Sequence, residues 1–375
     1  LAAMLELALA QADGAVTTGG LGPTVDDLTK DAVARAVGAD TELHEPSLRA
    51  IEARFVAMGR AMSDNNKRQA ILPRGSIVLD NPHGTAPGFV ALRGDGKFVA
   101  CMPGVPREMK PMLHEKLVPW LTERFALKSA IYTKTLHTAG ISESEIDRRI
   151  EDLFRTLENP KIAVLAHGGR VDVKVMAKAG DGAQADAMIA PVAEELRRRI
   201  GTGYFGDDET SLESAIIDAL KARALTIGTA ESCTGGAIAD AFVGVAGASA
   251  VYRGSVVAYA NDVKTALLDV PEDTLARTGA VSEETALAMA RGAKARLGVD
   301  IAVSTTGIAG PDGGTVAKPV GLVWLGFADE TGAAEAVRVT FPGSRADIIS
   351  RATTAALTMT WRRLERHAAI RERVH

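Results

Sequence analysis

The sequence predicts a multidomain protein of the α/β class, and three observations support that prediction. The chain has 375 residues, more than one hydrophobic core usually organises, so two or three domains are expected. Helical patterns alternate with short apolar runs along its length, as layered α/β folds require. Glycine is frequent, with 37 residues, and aromatic residues make up only 4%, which favours helices lying close on sheets.

Charge and cysteine content exclude several classes of partner. The chain has 43 basic and 47 acidic side chains, a net charge of −4, and no long basic run, so we expect no nucleic-acid partner. Cys101 and Cys233 are too few for a disulfide framework or a four-thiolate zinc site, which predicts a cytoplasmic protein. No apolar stretch approaches the roughly 18 residues of a membrane span, so no membrane partner is expected.

Residues 1–128 form the first predicted domain. A helical pattern over residues 2–10 leads into a strand-like run at residues 15–18. Because the chain starts inside that helical pattern and not with Met, we expect a fragment that lacks the opening strands of the domain. Loops rich in glycine and proline follow the later apolar runs, and loops at strand ends are where α/β folds bind ligands.

Residues 129–206 predict a small α+β domain. Its first helix starts with a cap at Ser142. An apolar run, a Gly-Gly pair and alternating valines over residues 162–175 predict a β-hairpin. A helix over residues 186–200 follows, and the glycine-rich, acidic stretch 201–208 predicts the boundary of the domain.

Residues 207–375 form the third predicted domain, again α/β. The pattern reads helix, buried strand, helix, strand, helix and three more strands, and it ends in a long C-terminal helix. Ser282 and Ser344, each followed by carboxylates in the first turn, are predicted helix caps. The predicted strands cover residues 225–230, 251–259, 300–305, 320–328 and 334–341.

The first glycine loop, residues 17–29, predicts a phosphate site. It runs from a strand into a helix, with Thr24 as the predicted N-cap, and such a junction presents N–H groups and a positive dipole end. It lacks the Gly-Lys-Ser/Thr ending of a Walker loop. The carboxylates of Asp26 and Asp27 would repel a phosphate unless a hard cation lay between, so bound phosphate implies a divalent cation, Mg²⁺. The alternative is that both aspartates only complement the helix dipole.

Three loops of this domain together resemble a known family. They are residues 17–29, residues 81–88 (Asn-x-x-Gly-x-Ala-Pro-Gly) and residues 103–109 (Pro-Gly-Val-Pro-x-Glu-Met). They are similar to the molybdopterin-binding (MoaB/MogA-like) domain in the form found in CinA, the competence/damage-inducible family. The resemblance implies a doubly wound fold that binds a pterin phosphate or a nucleotide diphosphate, with metal-dependent ADP-ribose pyrophosphatase activity. The expected phosphate loop comprises Gly19, Gly20, Gly22, Thr24, Asn81 and Gly104, and the expected metal ligands are Asp26 and Asp27.

The turn at residues 229–236 predicts a nucleophile in the third domain. Ser232 ends a buried strand and opens a helix of small residues, where a hydroxyl faces free N–H groups suited to an oxyanion hole. Residues 201–366 contain no histidine, and His367 is expected to face solvent, which excludes a Ser-His-Asp triad within this domain. Two alternatives stay open: Ser232 as a helix cap only, and Cys233 as the nucleophile or as a small core residue.

Lysine is the remaining strong base. Residues 259–264 pass from a strand to a helix, with Asn261 as the predicted N-cap and Lys264 in the first turn. There the helix dipole and partial burial would lower the Lys264 pKa towards a value usable for proton abstraction. Tyr259, at the end of the strand, would relay or donate the proton. The alternative for Lys264 is a solvated surface charge.

A third loop, residues 304–314, carries glycines and hydroxyls that would hold a ribose phosphate or would only form a wide turn. Together with the Ser232 and Lys264 motifs and with residues 318–321, this loop resembles the C-terminal domain of CinA, the nicotinamide-nucleotide amidase (PncC) family. The resemblance implies hydrolysis of the carboxamide of nicotinamide mononucleotide to nicotinate mononucleotide and ammonia, without a cofactor. It implies Ser232 as nucleophile, Lys264 as general base and Tyr259 as its partner.

The same resemblance predicts the substrate-binding residues and the partners. The domain order matches full-length CinA proteins, with a KH-like middle domain that lacks a Gly-x-x-Gly clamp and is interpreted as a spacer. We expect a homodimer that binds small-molecule nucleotides; the alternative is a nucleotide- or molybdopterin-sensing protein without turnover. Arg345 and Arg351 are candidates for the substrate phosphate. The other predicted substrate-binding residues are Thr234, Gly235, Gly236, Thr306, Gly307, Gly310 and Pro311.

Overall fold

The computed structural model describes residues 1–372, and the side chains of residues 1–365. The chain divides into two compact units, Leu1–Lys128 and Ser129–His375. Both contain helices packed on sheets, so the predicted multidomain α/β class is confirmed. Among the helices so described, none is both long and apolar enough to cross a membrane.

The first unit contains a four-stranded sheet with helices on both faces and a separate sheet of two short strands, Thr41–Leu43 and Ile71–Pro73. The strand order is β1-β6-β5-β4, with β1 and β6 parallel and the other neighbours antiparallel. Successive residues of β5 point into two separate cores, Phe89 on one face of the sheet and Val90 on the other. A sheet covered on both faces requires this pattern. The helices are α1 Ala2–Gln11, α2 Thr29–Val37, α3 Glu45–Ala57, α4 Pro106–Met112 and α5 Val118–Arg124. The strands are β1 Gly14–Thr18, β2 Thr41–Leu43, β3 Ile71–Pro73, β4 Ile77–Leu79, β5 Gly88–Leu92 and β6 Phe98–Met102.

The predicted N-cap at Thr24 is wrong, because α2 begins at Thr29 and Leu28 occupies the N-cap position. Thr24 and Asp27 do bond to each other as a helix cap would, but they close an isolated turn. Thr29 donates from its N–H to the Gly20 oxygen at 3.3 Å and from Oγ1 to the Gly19 oxygen at 3.0 Å. These bonds draw residue 29 back to the glycine turn, and the helix starts from there.

The second unit begins with an antiparallel sheet in the order β10-β7-β9-β8. The predicted hairpin and the Ser142 cap are present, with Ser142 Oγ accepting from the Glu145 N–H. The predicted helix at 186–200 starts four residues earlier, after an Asp181 cap. The strands are β7 Ala130–Ala139, β8 Lys161–His167, β9 Arg170–Ala179 and β10 Tyr204–Asp207, and the helices are α6 Glu143–Thr156 and α7 Gly182–Ile200.

The glycine-rich stretch 201–208 is a sheet strand rather than an open linker. Its central residues form β10, which pairs with β7. Phe205 is buried, stacks on His137 and meets Trp361 edge-on. Burial of this aromatic ring offsets the low strand propensity of the flanking glycines.

The remaining residues form a five-stranded sheet in the order β12-β11-β13-β14-β15. The neighbours β12, β11 and β13 are parallel, and β14 and β15 are antiparallel. The Ser282 and Ser344 caps are present. Asn261 is the first helical residue rather than the cap, because Ala260 still has extended backbone. The strands are β11 Ile227–Glu231, β12 Tyr252–Val257, β13 Ile301–Gly307, β14 Leu322–Ala328 and β15 Ala334–Thr340. The helices are α8 Leu212–Ala222, α9 Ala237–Val243, α10 Asn261–Leu268, α11 Glu272–Thr278, α12 Glu283–Leu297 and α13 Arg345–Glu372.

Candidate active site

The carboxyl ends of three parallel strands bring the C-terminal motifs into one pocket. Strands β12, β11 and β13 lie side by side, with Glu231 opposite both Val257 and Thr305. Parallel neighbours end at the same edge of a sheet, so the loops that follow them meet there. The pocket has a volume of about 160 Å³ and is lined by Ser232, Cys233, Tyr259, Lys264, Ala280, Val281, Thr306, Gly307, Ala309 and Arg345.

Lys264 is a buried lysine in contact with Ser232. Its side chain is only 1% exposed, and Nζ lies 3.1 Å from Ser232 Oγ. Nζ also contacts the main-chain oxygens of Ala258 and Tyr259, each at 2.9 Å. Lys264 sits in the first turn of α10, where its N–H donates to the Ala260 oxygen. The predicted helix position is therefore present, and the alternative of a solvated surface charge is wrong.

The surroundings of Lys264 favour its neutral form. Burial lowers the pKa of Lys264 below its usual 10.5, because an ammonium group loses its hydration there. The three oxygens around Nζ belong to two carbonyls and a hydroxyl. A neutral amine has two N–H donors for the carbonyls and one lone pair for the hydroxyl proton. This arrangement can therefore remove the proton of Ser232.

Tyr259 and Arg345 form the outer wall of the pocket. Tyr259 is 63% exposed, and its hydroxyl accepts a hydrogen bond from Arg345 Nη2 at 3.1 Å. Arg345 Nη1 donates to the Gly310 oxygen at 2.8 Å. Among the described residues, Lys264 Nζ donates to the main-chain oxygen of Tyr259, whereas the hydroxyl of Tyr259 accepts from Arg345.

A buried carboxylate, Glu231, holds the turn that carries Ser232. Glu231 is the last residue of β11 and is 0% exposed. The anion lies at the N-terminus of α9, where the helix dipole stabilises negative charge. Its six donors are the N–H groups of Gly236, Ile238 and Ala239 and the hydroxyls of Thr229, Thr234 and Ser255. No role was predicted for Glu231 from the sequence. A carboxylate in a buried strand, directly before the candidate nucleophile, is the sequence signal that could have indicated one.

Most N–H groups at the start of α9 are not free, contrary to the prediction. Three of them donate to Glu231, and the Ser232 N–H donates to the Thr305 oxygen at 2.9 Å. In the part of the chain that the structure describes, the N–H groups of Cys233 and Thr234 donate to no oxygen. These two groups, which directly follow Ser232, are the remaining candidates for an oxyanion hole.

Cys233 has the properties of a packed core residue. It is 6% exposed and belongs to the hydrophobic core of the domain. Burial raises the pKa of the Cys233 thiol to about 11, so the thiol stays protonated near neutral pH. Only the thiolate is a strong nucleophile, which favours Ser232 over Cys233.

The predicted substrate-binding residues separate into three groups. Thr306 and Gly307 line the pocket, and Gly310 supplies the oxygen that binds Arg345. Pro311 is exposed beyond the pocket lining. Arg351 lines a different cavity, so the structure does not place it beside Ser232.

Thr234, Gly235 and Gly236 shape the turn behind Ser232. Gly235 and Gly236 have φ values of 61° and 101°, which L side chains rarely adopt. Thr234 is buried, and its Oγ1 donates to Glu231 Oε2 at 2.8 Å. These three residues therefore hold the turn that positions Ser232, but they do not line the pocket.

In the first unit, the three predicted loops meet at a separate pocket of about 340 Å³. Asn81 lies beside this pocket, where its Nδ2 donates to Glu108 Oε2 and to the Ala86 oxygen, both at 2.8 Å. Thr24 is exposed and lies outside the lining. The lining residues are Gly19, Gly20, Leu21, Gly22, Asp27, Gln69, Thr85, Ala86, Pro103, Gly104, Val105 and Glu108.

The structure separates the two aspartates predicted to bind a metal. Asp27 lines the pocket, and its Oδ2 accepts from Thr24 Oγ1 at 2.6 Å, which lowers the pKa of Asp27. Asp26 is exposed and outside the lining, whereas Glu108 supplies a second carboxylate. The described residues contain no cluster of three or more His, Cys, Asp or Glu side chains suited to a metal. Two carboxylates suit Mg²⁺ that takes its other ligands from a bound phosphate and water.

Gln69 is a buried polar residue of the same pocket. It is 4% exposed, and its Nε2 donates to Thr85 Oγ1 at 3.1 Å. Its Oε1 is buried and has no hydrogen-bond partner among the described residues. Buried polar atoms normally have a hydrogen-bond partner, so this oxygen is an exception. No sequence pattern around Gln69 indicates this position.

Comparison with known proteins gives three consecutive family matches along the chain. Residues 1–123 match the "Probable molybdopterin binding domain", residues 133–206 the "Damage-inducible protein CinA KH domain", and residues 209–364 the "CinA C-terminal domain".

Two relatives that match most of the chain are named as CinA-like proteins. A CinA-like protein of Kosmotoga olearia is 41% identical over 349 residues, which is 93% of this chain and 84% of that protein. A CinA-like protein of Dictyoglomus thermophilum is 43% identical over 323 residues, or 86% of this chain and 78% of that protein. A crystal structure of the competence/damage inducible protein CihA from Agrobacterium tumefaciens is 43% identical, with a TM-score of 0.39, and covers 40% of this chain and 90% of its own. The chain belongs to the CinA family of competence/damage-inducible proteins.

Proposed function

We propose that the C-terminal part of the chain hydrolyses the carboxamide of nicotinamide mononucleotide to nicotinate mononucleotide and ammonia. The observation that carries this proposal is the 3.1 Å contact between Lys264 Nζ and Ser232 Oγ in a pocket where burial lowers the Lys264 pKa. A hydroxyl next to a neutral amine is an activated nucleophile. An amide carbonyl is the class of electrophile that a serine with an adjacent base attacks.

The acylation step uses Ser232 and Lys264. Lys264 Nζ takes the hydroxyl proton while Ser232 Oγ forms a bond to the carboxamide carbon. The carbonyl oxygen becomes an oxyanion, for which the N–H groups of Cys233 and Thr234 are the available donors. The carbon–nitrogen bond then breaks, Lys264 returns its proton to the leaving nitrogen, and ammonia departs from an acyl-serine ester.

The deacylation step returns the enzyme to its starting state. Neutral Lys264 takes a proton from water, and the hydroxide oxygen attacks the ester carbon. Ser232 Oγ leaves and recovers the proton from Lys264, and the nicotinic acid product loses its proton to solvent and is released as the carboxylate. Arg345, held by Tyr259 and by the Gly310 oxygen, would bind the substrate phosphate at the mouth of the pocket.

The test is ammonia release from nicotinamide mononucleotide by the full chain. We expect Ser232→Ala to reduce the rate at least about 10³-fold, as loss of a nucleophile usually does. Cys233→Ala should keep at least a tenth of the activity, because its thiol is protonated. Equal release by wild type and Ser232→Ala would show that the mechanism is wrong. If neither releases ammonia while both bind the nucleotide in calorimetry, the sensing alternative is favoured.

For the first unit we propose binding of the diphosphate of ADP-ribose, with hydrolysis to AMP and ribose 5-phosphate. The specific observation is that Asp27 and Glu108 face one pocket together with Gly20 and Gly104. Main-chain N–H groups of glycine loops bind phosphate oxygens. Asp27 and Glu108 would hold Mg²⁺ against that diphosphate, and the ion would neutralise its charge.

The test for this unit is AMP formation from ADP-ribose in Mg²⁺ and in EDTA. The proposal predicts turnover in Mg²⁺ that EDTA abolishes. Equal turnover in both would eliminate the role of the metal. Binding without turnover in Mg²⁺ would favour the alternative of a nucleotide- or molybdopterin-binding unit.

A further inference from the structure

A cavity in the unit Ser129–His375 shares no lining residue with the Ser232 pocket. Its volume is about 340 Å³. Strands β14 and β15 and one face of α13 form its walls, and the turn between β8 and β9 closes one side. The lining residues are Gly168, Gly169, Leu325, Val337, Val339, Phe341, Arg351, Thr354, Ala355, Thr358, Met359, Arg362 and Arg363.

The centre of this cavity is apolar, and its two ends are cationic. Arg351 and Arg362 are exposed and lie eleven residues apart on α13, a rise of about 16 Å. Among the described residues, neither guanidinium has a carboxylate within 4 Å; the third arginine, Arg363, pairs with Glu335. Neither of these two arginines therefore has an ion-pair partner among the described residues; Asp347, one helical turn before Arg351, interacts with it only at longer range.

We propose that this cavity binds a small anion with an aromatic or branched aliphatic body. The apolar body would displace water from Leu325, Val339 and Met359, which the hydrophobic effect favours. The carboxylate, sulfonate or phosphate of the ligand would pair with Arg351 or Arg362 at one end, since guanidinium matches such oxyanions. The charge complementarity excludes cations as the ligand class.

The test uses 8-anilinonaphthalene-1-sulfonate as the probe and N-phenyl-1-naphthylamine, the same aromatic body without a sulfonate, as its neutral control. Fluorescence titration of the full chain should show one saturable site per chain for the sulfonate. In the double variant Arg351→Gln/Arg362→Gln, its Kd should rise at least about fivefold. The Kd of the neutral probe should change less than twofold.

Two further variants locate the probe. Ala355→Leu fills the apolar wall and should weaken both probes, while Arg291→Gln on α12, an exposed arginine outside the cavity, should weaken neither. Circular dichroism confirms that each variant is folded. Sulfonate binding that is the same in all variants would overturn the proposal. Self-association of the chain that competes with the probe would also overturn it, since a second copy would then cover the cavity.

Discussion

The Ser232 pocket and the glycine-loop pocket differ in how far the protein satisfies its own polar groups. Glu231 accepts six hydrogen bonds, and Lys264 Nζ contacts three oxygens, all within the chain. In the glycine-loop pocket, Gln69 Oε1 is buried without a partner among the described residues, and Asp27 is only half-buried.

This difference indicates two kinds of chemistry. A fully bonded buried network fixes the geometry of its members before the substrate arrives. A pocket of glycine loops and two carboxylates would be completed by what binds there, which in our proposal is a diphosphate and a cation. Substitutions in the first pocket should therefore change both activity and stability, and those in the second should change activity alone.

Lys264→Arg is expected to give the largest effect. Arginine stays charged and does not deprotonate in proteins, so the base is lost, and kcat for ammonia release should fall about 10³-fold. Lys221→Arg, at an exposed lysine of α8, is the matched control and should stay within twofold of wild type. Activity of Lys264→Arg close to wild type would mean that Lys264 only neutralises the substrate phosphate.

The pH profile tests the same group without a substitution. Burial lowers the pKa of Lys264 from its usual 10.5, and only the neutral amine is a base. The value of kcat/KM should therefore rise about tenfold per pH unit below this pKa and level off above it, with a midpoint lower than 10.5. A profile that falls with increasing pH would contradict a lysine base.

Asp27→Asn tests the glycine-loop pocket. We expect AMP formation from ADP-ribose in Mg²⁺ to fall about 100-fold, because one carboxylate of the expected metal site is lost. Asp26→Asn is the matched control, since Asp26 is exposed and outside the lining, and its activity should stay within threefold. Thermal denaturation should show little change in either variant. Equal losses of activity in both variants would mean that the two adjacent carboxylates act together, although only Asp27 lines the pocket.

Glu231→Gln tests the bonded network in the first pocket. Glutamine keeps one acceptor oxygen, but its NH₂ group would face an N–H donor that the second carboxylate oxygen now binds. We expect a loss of about 2 kcal/mol in the free energy of unfolding and roughly tenfold lower kcat. Glu283→Gln, at an exposed first-turn residue of α12, should change the free energy of unfolding by less than about 0.5 kcal/mol. Denaturant unfolding of both variants shows whether the carboxylates of Glu231 and Glu283 contribute differently to the free energy of unfolding.

The meeting of Ser232 and Lys264 could be predicted from the sequence, and the donors to Glu231 could not. Apolar runs mark β11 and β12, and parallel strands end at one edge, so the residues after them are expected to be neighbours. The bonds to Glu231 depend on two glycines with positive φ, which turn the chain so that N–H groups point back at the carboxylate. A pattern of residue types does not specify that rotation.

The incorrectly predicted N-cap of α2 shows a second limit of prediction from sequence. Thr24 and Asp27 make the bond that a helix cap makes, so the local signal was real. The helix still starts at Thr29, because Thr29 bonds to the oxygens of Gly19 and Gly20. That tertiary contact decides which aspartate faces the pocket, and local capping rules do not contain it.

Arg345→Gln is expected to give the smallest effect, because Arg345 lies at the exposed edge of the pocket, away from the bond that breaks. Its Nη2 donates to the Tyr259 hydroxyl and its Nη1 to the Gly310 oxygen, which would position the guanidinium for the substrate phosphate. We expect KM for nicotinamide mononucleotide to rise about tenfold while kcat falls less than threefold.

The nucleoside nicotinamide riboside, which lacks the phosphate, separates phosphate binding from a general disturbance of the pocket by Arg345→Gln. Its KM should be the same in wild type and Arg345→Gln, since the phosphate contact is missing in both. Arg338→Gln on β15, an exposed arginine outside the pocket, should change neither KM. If Arg345→Gln raises KM equally for the nucleotide and the nucleoside, Arg345 acts by holding Tyr259 and the Gly310 loop in place, and the phosphate is bound elsewhere.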